Sequence, residues 1–225
     1  MDYIILIILI AAFLLFVIVR LLFNKKAIVK RKLKKAVAKP ILNFNTGDIA
    51  KINGKIEIAE EPLHAPLSGR KCAYYFTHVE QKVSSGKSTH WRTLIKEERS
   101  CKYVIRAGYK CAYVDETNLK SYIVQDRKYR SGFRNDATPE LERFLNTHGY
   151  KSEGLLGMNK TIRYKEGILE EGEEVAVAGR GEWKFSNLVG LPDIYDRVLV
   201  FSSIKGHPVY LSDDPDTLIS QKSRS

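Results

Sequence analysis

The chain has 225 residues, of which 44% are hydrophobic, 10% aromatic and 28% charged. That mix excludes a disordered, collagen-like or disulfide-stapled protein. The net charge of +11 is unevenly placed: residues 1–39 hold nine Lys/Arg against Asp2 alone, while the remainder holds 28 Lys/Arg against 25 acids. The body is nearly balanced, which disfavours a general nucleic-acid-binding domain.

From the N-terminus, Tyr3 to Val19 is an unbroken uncharged run, and Leu21–Phe23 extends it beyond Arg20. At 1.5 Å per residue its length matches a hydrocarbon core of about 30 Å. Met-Asp before it and Asn24-Lys25-Lys26 after it do not fit a cleaved signal peptide. The expectation is a retained transmembrane anchor over residues 1–23. The positive-inside rule then places the N-terminus outside and the body in the cytoplasm, as a single-pass inner (plasma) membrane protein. Residues 24–44 form a basic flank in which Val29, Leu33, Ala36 and Val37 share a thin stripe. Either this is a helix lying on an anionic leaflet, with Arg20, Lys25, Lys26, Lys30, Arg31, Lys32, Lys34 and Lys35 at the headgroups, or it is a solvated stop-transfer flank.

The body, residues 45–225, alternates short strands with turns. Ile49–Ile58 reads as apolar–polar alternation around an Asn53-Gly54 turn. Cys72–Val83 is a central strand, apolar on both faces in its first half. Strands follow at Trp91–Lys96, Tyr103–Arg106, Ala112–Val114, Ser121–Val124, Ile162–Tyr164, Glu174–Ala178, Val198–Ser202 and Pro208–Leu211. Thr138-Pro139-Glu140 opens one helix, Leu141, Phe144 and Leu145 give it an apolar face, and Gly149 stops it. Gln125–Ala137 reads as a loop, and Asp214-Pro215 starts a short terminal helix. The expected fold class is a transmembrane helix followed by an α+β, mostly β domain: a small barrel or sandwich-like sheet with one inserted helix.

Chemistry is sparse. Ser85-Gly86-Lys87-Ser88-Thr89 lacks the first glycine of a P-loop, because Gln81 stands there. Cys72, Cys101 and Cys111 form no CxxC pair, and with His64, His78, His90, His148 and His207 they lack the short spacing zinc needs. No nucleophile elbow is present. Glu170, Glu171, Glu173 and Glu174 around Gly172 lack the ligand alternation of a calcium loop. No catalytic, metal or cofactor site is therefore expected. Tyr74, Tyr75, Phe76 and Trp91, with the basic stretch Arg127–Arg134 carrying Tyr129 and Phe133, would suit a nucleic-acid platform if the barrel were OB-like. Strand aromatics more often serve the core.

Several stretches carry a family resemblance: the N-terminal apolar run, GKIEIAEEPLHAPLSGRKCAYYFTHVEQ, TPELERFLNTHG, NKTIRYKEGILEEGEEVAVAGRG and VYLSDDPDTL. Over about residues 45–220 the chain resembles the GIDE domain, also called BAM (beside a membrane), of mulan-type membrane E3 ubiquitin ligases and of prokaryotic proteins that carry it alone. Those ligases add a second membrane helix and a zinc-binding RING finger, which this sequence lacks, so ligase activity does not carry over. The resemblance implies a prokaryotic, non-catalytic protein-interaction or envelope-sensing module without cofactors. Its expected partners are an anionic bilayer and an unidentified protein. A ubiquitin-ligase-like protein using another chain's RING, and an OB-like nucleic-acid binder at the membrane, are the alternatives.

Overall fold

A computed structural model describes residues 3, 5–7, 10–13, 24–132, 135–154 and 159–218. Five strands close into a barrel: β1 (Ile49–Ile58), β6 (Tyr103–Ala107), β7 (Lys110–Val114), β11 (Glu174–Phe185) and β12 (Arg197–Ser202). β1 pairs with β6 on one side and β11 on the other, β6 pairs with β7, and β12 bridges β7 and β11. All these pairings are antiparallel except β7–β12. The spatial order β11-β1-β6-β7 is a Greek key, giving an OB-like barrel. Alternation places Ile52, Ile56, Ile105, Val114, Val177, Leu199 and Phe201 inside, with Phe44 edge-on to Phe201 at 5.6 Å.

Asn53-Gly54 is not a turn. β1 runs straight through it, and Gly54 marks where β1 and β6 approach too closely for a side chain: a Cβ there would lie 2.5 Å from the Arg106 carbonyl oxygen. A glycine inside an alternating strand signals such an approach as readily as it signals a turn.

Four more strands are inserted within the barrel's connections and form a second, antiparallel sheet. Its order is β5 (Ser88–Ser100), β4 (Tyr74–Ser85), β10 (Ile162–Leu169) and β9 (Arg127–Ser131). Helix α2 (Pro139–Thr147) covers one face, burying Leu141, Phe144 and Leu145 against Val79, Ile95, Ile162 and Tyr164. Thr138 Oγ1 accepts the Leu141 N–H at 3.3 Å, and Pro139 occupies the first turn, where its missing N–H costs nothing. The N-terminal end of β4 packs Tyr74 and Phe76 against the barrel core, so one strand joins the two layers. β9 lies in the stretch expected as a loop; its five residues, four of them exposed, have no apolar period to reveal it.

Two short strands, β2 (Leu63–His64) and β3 (Lys71–Cys72), form a small hairpin. Beyond β11, β13 (Tyr210–Ser212) and β8 (Lys120–Tyr122) pair in parallel. Helix α1 (Lys25–Lys35) lies over this extension, with Val29 and Leu33 fully buried against Ala176 and Ala178. Its Lys30 meets Asp214 at 2.8 Å and Asp216 at 2.9 Å, and Lys34 meets Asp216 at 3.2 Å. Those acids flank the start of the terminal helix α3 (Pro215–Leu218). Behind α3, Lys51 of β1 is fully buried and donates to the Thr217 carbonyl at 2.8 Å.

These contacts correct the N-terminal expectations. Most of the proposed anchor falls outside the described residues: of residues 1–23, only 3, 5–7 and 10–13 are described. Among the described residues, no helix is long and apolar enough to cross a membrane. The single-pass architecture, the inner-membrane location with a cytoplasmic body, and the fold class built on a transmembrane helix are not supported. The chain is mostly β, with a five-strand barrel and a few short helices. Of the stripe read either as a helix on a leaflet or as a solvated flank, Val29 and Leu33 face the protein's own sheet, the helix ends at Lys35, and Val37 stands exposed beyond it.

Candidate functional site

The face of the second sheet opposite α2 carries a row of basic side chains. Register places Lys96 of β5 beside His78 of β4, His78 beside Lys165 of β10, and Lys165 beside Lys128 of β9. Directly opposed side chains lie about 5 Å apart on one face, and like charges there are destabilising. The four basic side chains form a single row across the sheet. The adjacent row is Thr93, Glu80, Arg163 and Arg130, and there Glu80 offsets one of the two guanidinium charges. Glu80 accepts two bonds from Arg163, at 2.7 and 3.0 Å, and the Arg163 guanidinium lies 4.2 Å from the Trp91 ring centroid. Lys128 and Lys165 form no ion pair among the described residues.

The imidazole of His78 reports this field. Burial pushes its pKa down, Lys165, Lys96 and Arg163 push it further down, and Glu80 opposes them. The opposite shift occurs at Glu80, where the Arg163 bonds hold the carboxyl below its usual range.

Below the row, the sheet, β8 and the start of α1 enclose a cleft of about 580 Å³. Five lysines (Lys25, Lys26, Lys96, Lys128 and Lys165) line it against one acid, Glu98, together with Tyr74, Phe76 and Tyr122. Glu98 lies 3.8 Å from Lys25 and 3.7 Å from Lys96, and it accepts the Tyr74 hydroxyl at 3.0 Å. The first turn of α1 contributes Lys25 and Lys26 and no acid. A helix N-terminus carries partial positive charge and favours anions, so lysines there add to the repulsion. Asn24 caps that turn, its side chain accepting the Lys26 N–H at 3.1 Å. The Lys26 ammonium sits 4.8 Å from the Tyr122 ring centroid. The cleft is electropositive from both of its walls and suits an anion.

The barrel's outer face on β6, β7 and β12 offers no comparable site. The β11–β12 connection folds over it in two 3₁₀ turns, Ser186–Val189 and Asp193–Tyr195, and packs Leu191 against Val104, Cys111, Val198 and Val200. Tyr195 donates to Glu57 at 3.0 Å, Arg106 pairs with the same carboxylate, and Lys102 donates to the Gly190 carbonyl at 2.7 Å. The Arg106 bonds hold Glu57 below the usual carboxylate range.

The described cysteines and His148 are tied up in the fold. Burial pushes the Cys72 thiol up to about 12 and raises Cys101 and Cys111 as well, which keeps all three as thiols rather than thiolate nucleophiles. His148 is held between the Phe144 carbonyl at 2.9 Å and Glu97 at 3.0 Å, and Glu97 also takes the Tyr75 hydroxyl. This chain fastens α2 to β4 and β5. Among the described residues, no group of three His, Cys, Asp or Glu side chains could hold a metal ion. Glu170, Glu171 and Glu173 instead serve the turn at Gly172: Glu170 pairs with Arg70, Glu171 accepts the Ile58 N–H, and Glu173 accepts the Glu170 N–H.

Of the basic residues expected at headgroups, the structure brings Lys25 and Lys26 to the cleft. Lys30 and Lys34 are tied to Asp214 and Asp216, Arg31, Lys32 and Lys35 point outward from α1, and Arg20 lies outside the described residues. Phe133 and Arg134 also lie outside them, and Tyr129 stacks on Tyr164 at 5.1 Å. His78, Lys96, Lys128 and Lys165 escaped sequence reasoning because each is ordinary in its own strand and only strand pairing unites them. No family model, curated protein or solved structure matches this chain.

Proposed function

We propose that the chain is a non-catalytic protein-interaction module that holds an acidic segment of a partner in the lysine cleft. The observation that carries this is the cleft lined by five lysines against one acid, with Lys165 and Lys128 directly opposed across the sheet and in no ion pair among the described residues. Electrostatic cost retained at one place on a surface marks a binding surface, because a complementary partner relieves it. The resemblance to GIDE/BAM domains agrees with an interaction role. Nucleic acid is the weaker reading: the barrel face that OB-like folds use for oligonucleotides is covered here by the Ser186–Tyr195 connection.

The test is fluorescence anisotropy with a labelled polyglutamate peptide, with single-stranded DNA of equal charge in parallel. The peptide binds the full chain and salt weakens it, and Lys128→Glu with Lys165→Glu weakens it by about tenfold or more. Unchanged peptide binding in that variant, or tighter binding of the DNA than of the peptide, contradicts the proposal.

A further inference from the structure

Glu98, the one acid that lines the cleft, stands between two of its cations without closing on either. Its Oε1 lies 3.8 Å from Lys25 of α1 and 3.7 Å from Lys96 of its own strand. Both separations exceed the roughly 2.7–2.9 Å of a charge-assisted hydrogen bond. The reason is the other oxygen: Oε2 accepts the Tyr74 hydroxyl at 3.0 Å. Tyr74 is buried and packs into the barrel core, so it holds the carboxylate where it stands. The phenol has a second neighbour within reach, Ser121 Oγ at 3.5 Å, which also lines the cleft. Among the described residues, Lys25–Glu98 is the ion pair that links α1 to the second sheet.

We infer that Glu98 is a built-in competitor: a carboxylate of the chain's own that occupies the partner's place in the cleft and is displaced when an acidic segment binds. This rests on the reading of the cleft as the partner's docking site. An acid on a separate chain carries no tether to Tyr74, so it closes on Lys25 or Lys96 at hydrogen-bond distance where Glu98 does not. When Glu98 leaves, the Tyr74 hydroxyl turns to Ser121. Displacement has a cost, and that cost sets a threshold. A single carboxylate gains little, because it only exchanges with Glu98. A run of acids gains more, because it also meets Lys128 and Lys165, which form no ion pair among the described residues. Glu98 thereby selects acidic runs over isolated acids, since specificity is a difference between two affinities.

The experiment is anisotropy with the labelled polyglutamate peptide on the full chain. The variants are Glu98→Ala, Tyr74→Phe, the two combined, and Glu182→Gln, which removes an acid paired with Lys184 on the barrel. Tyr74→Phe leaves the net charge unchanged and removes only the tether, so a general field effect does not move it. The expected result is binding about tenfold tighter for Glu98→Ala and about threefold tighter for Tyr74→Phe, with Tyr74→Phe adding nothing once Glu98 is gone. Glu182→Gln stays within about twofold of the parent. A Tyr74→Phe chain that binds no tighter than the parent, or a Glu182→Gln chain that matches Glu98→Ala, overturns the competitor while leaving the lysine reading intact. No binding by any of these chains, or binding indifferent to Lys128→Glu with Lys165→Glu, overturns both.

Discussion

The barrel and the four-stranded sheet treat their outer faces in opposite ways. The barrel seals β6, β7 and β12 under its own Ser186–Tyr195 connection and anchors that cover with Leu191, Tyr195 and Lys102. The sheet covers one face with α2 and leaves part of the other open over the lysine cleft, with Lys165 opposed to Lys128. A covered face contributes to stability through apolar burial, and a bare like-charged face subtracts from it. In this chain the barrel serves as scaffold and the appended sheet carries recognition.

Substitutions on the two sides should therefore differ in sign. The largest effect is expected on the sealed face: Leu191→Asp buries a charge among Val104, Val198 and Val200 and destabilises by about 4 kcal/mol, read from chemical denaturation. Acidic-peptide binding by the fraction that remains folded is unchanged. A second effect tests the joint between the layers. Asp213 is buried, and its carboxylate accepts the Val124 N–H at 2.8 Å just where β8 leads toward β9. Burial pushes its pKa up to about 7, opposed by that bond and reinforced by Glu173 and Asp126.

A raised folded pKa favours the protonated form, so this stabilisation is full below the unfolded value and is lost as pH rises through about 7. Asp213→Asn should be more stable than the parent at pH 8, by roughly 1–3 kcal/mol, and should show little advantage near pH 4. An advantage that does not change with pH would assign the effect to packing rather than titration. A smaller loss, about 1 kcal/mol, is expected for Tyr195→Phe, which leaves Glu57 its Arg106 bonds and removes one donor from the cover. The smallest effect carries the opposite sign: Lys165→Glu relieves the repulsion with Lys128 and stabilises by about 0.5 kcal/mol in thermal melts at low salt. Destabilisation there would show that the row is not under strain.

Local chemistry made parts of this legible from sequence. Thr138-Pro139 announced α2, and the two-sided apolar stretch from Cys72 placed β4 in the middle of its sheet. The missing P-loop glycine at Gln81 was legible too: Gly86 stands at the tip of the hairpin that joins β4 to β5, and its φ of +56° suits that turn. What failed was reading an element's partner from its composition. The lysines of α1 left a lipid surface and a solvated flank both open, and the acids that hold Lys30, Asp214 and Asp216, lie far along the chain, so their approach is a tertiary fact. Gly54 looked like a turn because a close strand approach leaves the same mark. The lysine row needed four registers at once, and alternation within any one strand does not fix its neighbour's register.

The most direct test of the account is where an acidic ligand lands on the folded chain. Backbone chemical-shift mapping of the isotope-labelled protein, titrated with the polyglutamate peptide, should show shifts gathered at His78, Lys96, Lys128 and Lys165 and along the cleft to Lys25 and Lys26. Shifts gathered instead on Ser186–Tyr195 and the barrel strands beneath it would contradict the account.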